Sequence, residues 1–339
     1  MTVRVGISGA SGYGGRELMR LCLAHPGFDV TYVSGESTVG QRVSQLYPAL
    51  AGQPAGELVI QPFVPEALHN VDLLFASLPT GASKEPLARV PKEIKIVDVG
   101  GDHRYVEGWT YGLTELPGAR EKIRNSSRVA DEGCYAVTSL LALAPLVANG
   151  IVEPEGIVID AKSGISGAGR GGGSGFGYAE TNEDMVAYGL LRHDHVREIT
   201  ETLSRLAGGG RRASVAFTPH LAPMNRGIVA TCYGRPRGSA TTEQVTEAAR
   251  EFYKGEPFIR IREVETNVLK TGTGPHSAWA AGTNLAFLTY AVNAETGHVI
   301  AIGALDNLGK GAAGQAVQNA NLMTGQPETT GLEGISVWP

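Results

Sequence analysis

Short apolar runs alternate with helical patterns along the first third of the chain. The apolar runs cover residues 3–8, 30–34, 73–78 and 94–99. After the first run, apolar positions recur with helical spacing as far as His25, and Pro26 and Gly27 then interrupt the pattern. Strands that alternate with helices form a parallel sheet through right-handed crossovers, and such a sheet binds ligands at the carboxyl ends of its strands. The pattern therefore predicts a Rossmann-type domain.

The pattern changes in the middle of the chain. An apolar run at 140–147 predicts a helix that begins close to Cys134. Beyond Pro154, a strand-like run at 158–162 leads into residues 163–177, where glycine is too frequent for a helix or a strand. A further helix is predicted to open near Arg192 and to continue to Leu206.

A glycine loop separates the first predicted strand from the first predicted helix. Gly9, Gly12 and Gly15 have Gly-x-x-Gly-x-x-Gly spacing, and a loop of this kind lets backbone N–H groups approach a pyrophosphate. The residues expected to contact a dinucleotide here are Gly9, Ser11, Gly12, Tyr13 and Gly14. The alternative is a tight turn that binds no ligand.

Ser34, at the end of the second predicted strand, bears on the choice of cofactor. NAD enzymes usually have Asp or Glu at this point for the ribose 2′-hydroxyl, whereas a serine hydroxyl can bind a 2′-phosphate. Ser34 therefore favours NADPH/NADP+, although Glu36 lies close by and argues the other way.

Composition excludes several classes of function. The 339 residues are 42% hydrophobic and 19% charged, with a net charge of -5, which offers no basic face for nucleic acid. No apolar stretch reaches the length needed to span a bilayer, and the first residues do not resemble a signal peptide. Three cysteines, an odd number, argue against a disulfide framework. We expect a cytoplasmic protein that binds neither membranes nor nucleic acid.

Cys134 is the candidate nucleophile. It follows a glycine and directly precedes an apolar helical run, so it should lie among the free N–H groups at a helix start, which stabilise a thiolate. The alternative is a buried core cysteine, which we expect for Cys22 and Cys232. A thiol combined with a dinucleotide loop and a nearby His-x-His suggests redox chemistry on a thioester.

Two further segments carry candidate chemistry. His193 and His195 do not share a helix face, so a zinc site is not expected, and one of them is a better candidate for general acid/base catalysis. The glycine-rich residues 163–177 lie beside Lys162 and Arg170, and such a loop is either an anion-binding site or a flexible linker. We expect no metal.

The chain resembles the N-acetyl-gamma-glutamyl-phosphate reductase family, the arginine-biosynthesis relatives of aspartate-semialdehyde dehydrogenase. The resemblance runs almost end to end. The segments that carry it are GASGYGG at 9–15, DHR at 102–104, YGLTEL at 111–116, GCY at 133–135, IDAKSGISGAGR at 159–170, HDH at 193–195, FTPHLAPMNRG at 217–227 and DNLGKGAAGQA at 306–316.

The resemblance implies a fold and a domain organisation. The fold class is α/β, a Rossmann-type dinucleotide-binding domain plus an α+β catalytic and dimerisation domain with a mixed sheet. Residues 1–133 and 311–339 would form the NADP-binding domain, and residues 134–310 the catalytic domain. The implied assembly is a homodimer or homotetramer. A final helix within the segment that starts at Asp306 would return to the nucleotide domain.

The resemblance also implies roles for individual residues. Cys134 would attack an acyl phosphate and form a thioester, which accepts hydride from NADPH more readily than a carboxylate does. His195 would be the acid/base, and N–H groups after Cys134 could stabilise the oxyanion. Ser163, Gly164 and Asn307 would lie at the cofactor. The candidate ligands for the substrate's carboxylate or phosphate are Arg104, Arg170 and Arg226, with Arg226 foremost.

The chain departs from the family pattern beside the nucleophile. Asp131 and Glu132 replace the usual Asn-Pro, and two carboxylates there would disfavour the thiolate and oppose a phosphate unless they point away. Ala136 and Val137 replace Pro-Thr, Thr80 stands where histidine is common, and Thr114 replaces a proline.

Three alternatives remain open at this point. A lysine-pathway reductase would act by the same chemistry on an aminoadipyl or carrier-linked acyl phosphate. A phosphorylating dehydrogenase of the glyceraldehyde-3-phosphate type would share the Cys and His pair but usually prefers NAD. A non-catalytic NADP sensor would keep the glycine loop and lose the thiol chemistry.

Overall fold

The computed structural model describes residues 2–170, 177–266 and 272–336, and the chain divides into two units. The first unit comprises Met1–Glu132 and Ala312–Gly334, and the second comprises Gly133–Gly311 and Ile335–Pro339. Among the residues described, no helix is long and apolar enough to cross a membrane.

The first unit contains a six-stranded parallel sheet with the strand order β2-β1-β3-β4-β6-β5. Its strands are β1 (Val3–Ser8), β2 (Phe28–Ser34), β3 (Leu73–Ala76), β4 (Lys95–Asp98), β5 (Thr110–Tyr111) and β6 (Arg128–Ala130). Its helices are α1 (Tyr13–Ala24), α2 (Val43–Leu46), α3 (Lys84–Ala88), α4 (Ala119–Arg124) and α9 (Gly314–Met323). The predicted Rossmann-type domain is confirmed, and the strand order reverses direction at β1, beside the glycine loop.

The second unit contains a seven-stranded mixed sheet with the order β11-β14-β15-β10-β7-β9-β8. Its strands are β7 (Ile157–Gly164), β8 (Val186–Ala187), β9 (Val215–Ala222), β10 (Ile228–Gly234), β11 (Ile259–Ile261), β14 (Ala286–Val292) and β15 (Val299–Leu305). Strands β12 (Glu265–Thr266) and β13 (Gly272–Thr273) pair antiparallel in a separate two-stranded sheet. Its helices are α5 (Cys134–Ala148), α6 (Tyr178–Thr181), α7 (His195–Ala207) and α8 (Thr242–Phe252). The mixed sheet implied by the resemblance is therefore present.

Helix α5 is the centre of the second unit. Every residue from Tyr135 to Val147 is buried, which explains why its sequence is apolar on all sides instead of amphipathic. Strand β15 approaches it closely, because a Cβ atom on Gly303 would lie only 2.8 Å from the carbonyl oxygen of Thr138. The buried helix fixes its first residue, Cys134, at a defined place.

The boundaries of the two units differ slightly from those expected from the sequence. Gly133, Gly311 and the last residues were assigned to the first domain, whereas they cluster with the second unit. The reason is local: the N–H of Gly133 donates to Glu198, Gly311 packs against Cys134, and Ser336 Oγ donates to the carbonyl of Ala278.

The glycine-rich segment also differs from expectation at its start. Ser163 and Gly164 continue β7, and residues Ile165–Ala168 form a 3-10 turn, so the first part is ordered structure. Gly164 is needed because a Cβ atom there would lie 2.7 Å from the backbone of Arg226. Residues 171–176 of the glycine-rich segment lie outside the described part of the chain.

Candidate active site

Cys134 is the first residue of α5, as the sequence predicted. Its N-cap is Gly133, which has no side chain, so the first N–H groups of α5 receive no side-chain cap. Cys134 is half-buried, whereas Cys22 and Cys232 are buried, and burial raises the pKa of each of those two thiols. Of the three cysteines, Cys134 has the environment of a nucleophile.

His195 lies directly against the residue before the nucleophile. A Cβ atom on Gly133 would be 2.0 Å from Nε2 of His195, so only glycine leaves room for the imidazole. His195 is also the first residue of α7. The starts of α5 and α7 therefore bring the thiol and the imidazole into one site.

Glu198 belongs to the same site, although the sequence analysis did not single it out. Its side chain is 1% exposed, and its Oε1 accepts a hydrogen bond of 3.0 Å from the N–H of Gly133. Because Glu198 is three residues after His195 in α7, the two side chains share a face of the helix. The His-x-x-Glu spacing was the available signal.

His193 lies in a cluster of aromatic rings that also includes His195, whose ring centroid is 4.6 Å from its own. Its ring packs edge-on against Tyr135, Tyr188 and Phe217, at centroid distances of 5.7, 5.5 and 5.3 Å. Burial lowers the pKa of His193, and burial raises the pKa of Tyr188 to about 12. Tyr135 packs edge-on against both imidazoles, so the ring contacts do not separate the two roles. Only His195 is seen against Gly133, and its role as acid/base stays a prediction.

Arg226 is held by a buried carboxylate. Its Nε lies 2.8 Å from Oδ2 of Asp306, a side chain with no exposed surface, while Arg226 itself remains 27% exposed. Arg170 is exposed, at the edge of the described residues. Both arginines belong to the second unit, whereas Arg104 belongs to the first, where its Nε donates to the carbonyl of Asp131 at 2.9 Å. Their role as substrate ligands stays a prediction.

Asn307, Ser163 and Gly164, expected at the cofactor, have contacts within the second unit. Asn307 accepts from the N–H of Gly227 at 2.6 Å and donates to Ser166 Oγ at 2.9 Å. Ser163 is 1% exposed, and its hydroxyl donates to the carbonyl of Gly164 at 3.1 Å. The three residues lie at or just beyond the ends of β7 and β15, and their role at the cofactor stays a prediction.

Asp131 and Glu132 are buried in the first unit, at 0% and 2% exposure. Asp131 Oδ1 accepts a hydrogen bond of 3.0 Å from Asn319 Nδ2, and a Cβ atom on Gly112 would lie 3.2 Å from Glu132 Oε2. Both carboxylates are therefore part of the interior of that unit. Their influence on the thiolate stays a prediction.

The glycine loop of the first unit fits a pyrophosphate. Gly9 has φ +77°, and a Cβ atom there would lie 2.0 Å from the carbonyl oxygen of Ser77, so the loop turns tightly over the end of β3. Gly12 is the N-cap of α1 and offers no side chain to cap it, and α1, which is described in full, has no acidic residue in its first turn. The first N–H groups of α1 are thus suited to an anion.

Ser34 is the last residue of β2. Its side chain is fully buried. The exposed hydroxyl in this loop belongs to Ser37, beside the exposed Glu36. Contact between Ser34 and the cofactor stays a prediction.

Comparison with known proteins identifies the family. The model for "Semialdehyde dehydrogenase, NAD binding domain" matches residues 4–126, and that for "Semialdehyde dehydrogenase, dimerisation domain" matches residues 134–307. An N-acetyl-gamma-glutamyl-phosphate reductase from Bradyrhizobium sp. (strain ORS 278) is 55% identical over the full length of both chains. The chain belongs to the N-acetyl-gamma-glutamyl-phosphate reductase family. A reductase of the same name from Salinispora tropica is 42% identical and covers 100% of this chain and 99% of its own.

Solved structures confirm the fold of this family member. Aspartate semialdehyde dehydrogenase II from Vibrio cholerae, complexed with ASA, superposes with a TM-score of 0.71 at 16% identity, covering 96% of this chain and 98% of its own. The Candida albicans enzyme with NADP has a TM-score of 0.72 at 14% identity, with 96% and 99% covered. At these identities the likeness concerns the fold alone.

The tight packing at Gly133 leads to a first prediction. Gly133→Ala should lower turnover by about 10²-fold or more, because the new methyl group would displace the imidazole of His195 and remove its acid–base contribution. Backbone strain should not contribute, since φ -75° and ψ 143° are open to alanine. The measurement is kcat together with the melting temperature.

A matched control is Gly334→Ala. Among the described residues, nothing lies within 4 Å of a Cβ atom at Gly334, and its φ is not positive. This variant should keep wild-type turnover. Wild-type turnover in Gly133→Ala would instead mean that the position of His195 does not matter for the reaction.

Proposed function

We propose that this chain catalyses the NADPH-dependent reductive dephosphorylation of N-acetyl-gamma-glutamyl phosphate to N-acetyl-glutamate semialdehyde, in arginine biosynthesis. The observation that carries the proposal is the packing of His195 against Gly133, directly before Cys134 at the open start of α5. Full-length relatives at 55% and 54% identity are named for this activity.

The first half of the reaction belongs to Cys134. Its thiolate sulfur attacks the acyl carbon of the substrate, the bond from that carbon to the phosphate oxygen breaks, and inorganic phosphate leaves. N–H groups in the first turn of α5 are placed to stabilise the oxyanion that forms during this attack. The product of this step is a thioester on Cys134.

The second half needs a proton at the substrate oxygen. NADPH, when bound, supplies the hydride that reduces the thioester carbon. His195 donates a proton to the oxygen of the resulting hemithioacetal and then removes it, so the carbon–sulfur bond breaks and the aldehyde leaves. Glu198 accepts a hydrogen bond from the N–H of Gly133 and thereby helps to hold Cys134 and His195 in position.

The residues that would hold the cofactor are those of the glycine loop. Gly9, Ser11, Gly12, Tyr13 and Gly14 surround the start of α1, whose N–H groups suit a pyrophosphate. We place the 2′-phosphate near Ser37, because Ser34 is buried. The match to a "NAD binding domain" covers this loop.

The experiment is NADPH oxidation with N-acetyl-glutamyl phosphate, run beside the aminoadipyl and aspartyl analogues and repeated with NADH. We expect the highest kcat/KM with N-acetyl-glutamyl phosphate and NADPH, since a hydroxyl near the ribose can donate a hydrogen bond to a 2′-phosphate, which a carboxylate would repel. A preference for the aminoadipyl analogue would replace the proposed substrate. Equal kcat/KM with NADH would contradict the cofactor preference.

We also infer a homodimer formed through the mixed sheet of the second unit. On the face opposite the buried Ile157 and Ile159, β7 exposes 44% of Val158, and β10 exposes 37% of Tyr233. The matching family model is described as a dimerisation domain. Light scattering on the purified chain distinguishes a dimer from a monomer or a tetramer.

We place the protein in the cytoplasm. The three free thiols of the chain suit that reducing compartment.

A further inference from the structure

Asp306 is a buried carboxylate that the proposed reaction does not use directly. It follows the last residue of β15 and has no exposed surface. Its oxygens lie 3.0 and 2.8 Å from the Nε of Arg226. They also accept hydrogen bonds from the N–H groups of Gly282, Leu308 and Gly309, at 2.5, 2.9 and 3.3 Å. With this many donors the carboxylate is fully engaged.

The sheet itself sets the pairing of Arg226 with Asp306. In the antiparallel register of β10 and β15, Ile228 faces Leu305. Arg226 lies two residues before Ile228, and Asp306 lies one residue after Leu305, so the two side chains meet where the paired strands end. Although 80 residues separate them in sequence, the contact is fixed by the strand register.

The backbone of Asp306 holds Gly311, which packs against the nucleophile. Its carbonyl oxygen accepts a hydrogen bond of 2.9 Å from the N–H of Gly311. A Cβ atom on Gly311 would lie 3.0 Å from the Cβ of Cys134 and 3.2 Å from that carbonyl oxygen. Gly311 therefore packs behind the nucleophile, and Asp306 helps to hold it there.

We propose that Asp306 is a positioning residue, which orients Arg226 toward an anionic group of the acyl-phosphate substrate and holds the turn behind Cys134. This proposal rests on the proposed function. An arginine fixed through its Nε meets a carboxylate or phosphate with little loss of side-chain freedom. Asp306 has no exposed surface. It therefore cannot contact the substrate itself and acts on it through Arg226.

The test begins with Asp306→Asn, which keeps the size of the side chain and removes the charge. One acceptor becomes an NH₂ group, so the grip on Arg226 weakens. We expect the KM for N-acetyl-glutamyl phosphate to rise roughly tenfold, the scale of a lost hydrogen bond to a charged group, while the KM for NADPH stays unchanged. Asp29→Asn, at an exposed aspartate of β2, is the matched control and should change neither KM.

A double-mutant cycle shows whether Asp306 acts through Arg226. In an Arg226→Ala background, Asp306→Asn should raise the substrate KM little further, because the group it orients is absent. Additive effects of the two substitutions would overturn the proposal, and so would equal increases in the KM of substrate and of NADPH.

Two further measurements keep the proposal testable if Asp306→Asn folds poorly or the substrate is wrong. Arg226→Lys, at a partly exposed side chain, keeps the cation but lacks Nε. It should therefore reproduce the substrate KM defect at an unchanged melting temperature, and an unchanged KM would overturn the proposal.

The second measurement is the protection of Cys134 from iodoacetamide by inorganic phosphate, which needs no turnover. Asp306→Asn should need roughly tenfold more phosphate for equal protection, and equal protection would overturn the proposal. Absence of turnover in the wild type would refute only the proposed function.

Discussion

Cys134→Ala should reduce NADPH oxidation to background, a loss on the order of 10⁴-fold or more, because no other group can carry the acyl chain. Binding of NADPH should be nearly unchanged, since the glycine loop of the first unit is untouched. The measurements are steady-state turnover and NADPH fluorescence on binding. Without NADPH, the wild type should release one phosphate per active site as Cys134 is acylated, and this variant should release none.

The other cysteines provide the controls. Cys22 and Cys232 are 1% and 0% exposed, so replacing either with alanine should lower the melting temperature and leave kcat almost unchanged. Cys134→Ser should retain a trace of activity at most, because an alcohol is a much poorer nucleophile at neutral pH. Substantial turnover in Cys134→Ala would rule out the thioester route.

The sequence predicted those parts of the site that depend on neighbouring residues. A glycine before Cys134 and an apolar run after it predicted the start of α5, and the structure has the helix begin at Cys134. The glycine loop between β1 and α1 was predicted in the same way. In both cases the information is contained within about one helical turn, which is where capping and helix-start preferences act.

Contacts between distant residues could not be predicted from such patterns. The pair Arg226 and Asp306 depends on the register of β10 against β15, and Glu198 meets Gly133 across 65 residues because α7 packs beside α5. Single-residue patterns carry no information on which helix face or which strand end will meet another. The family resemblance placed Arg226 at the substrate, but not the carboxylate that holds it.

Residue type was also a poor guide to the local structure at two positions. Ser34 was expected at the cofactor because it ends the second strand, where NAD enzymes usually have Asp or Glu, and it is fully buried beside the buried Tyr32 and Val33. Gly164 was expected to belong to a loop because glycines surround it. Its glycine is instead required by the close approach of the Arg226 backbone to β7.

His195→Asn should lower turnover by roughly 10² to 10⁴-fold, the usual contribution of a general acid–base group. Because we assign His195 to proton transfer at the hemithioacetal oxygen, acylation of Cys134 should still occur. The variant should therefore release one phosphate per active site in a burst, and its intact mass should show the acyl group on the protein. Turnover and burst size, measured together, separate this step from the loss of the nucleophile in Cys134→Ala.

His193→Asn is the matched control, because it removes an imidazole only two residues away. Its ring packs in the cluster with Tyr135, Tyr188 and Phe217, so its replacement should lower the melting temperature and cost far less turnover than His195→Asn. An equal or larger loss of turnover at His193 would reverse the assignment of the pair. A His195→Asn variant without a phosphate burst would instead assign that imidazole to activation of the thiol, since acylation would then need it as well.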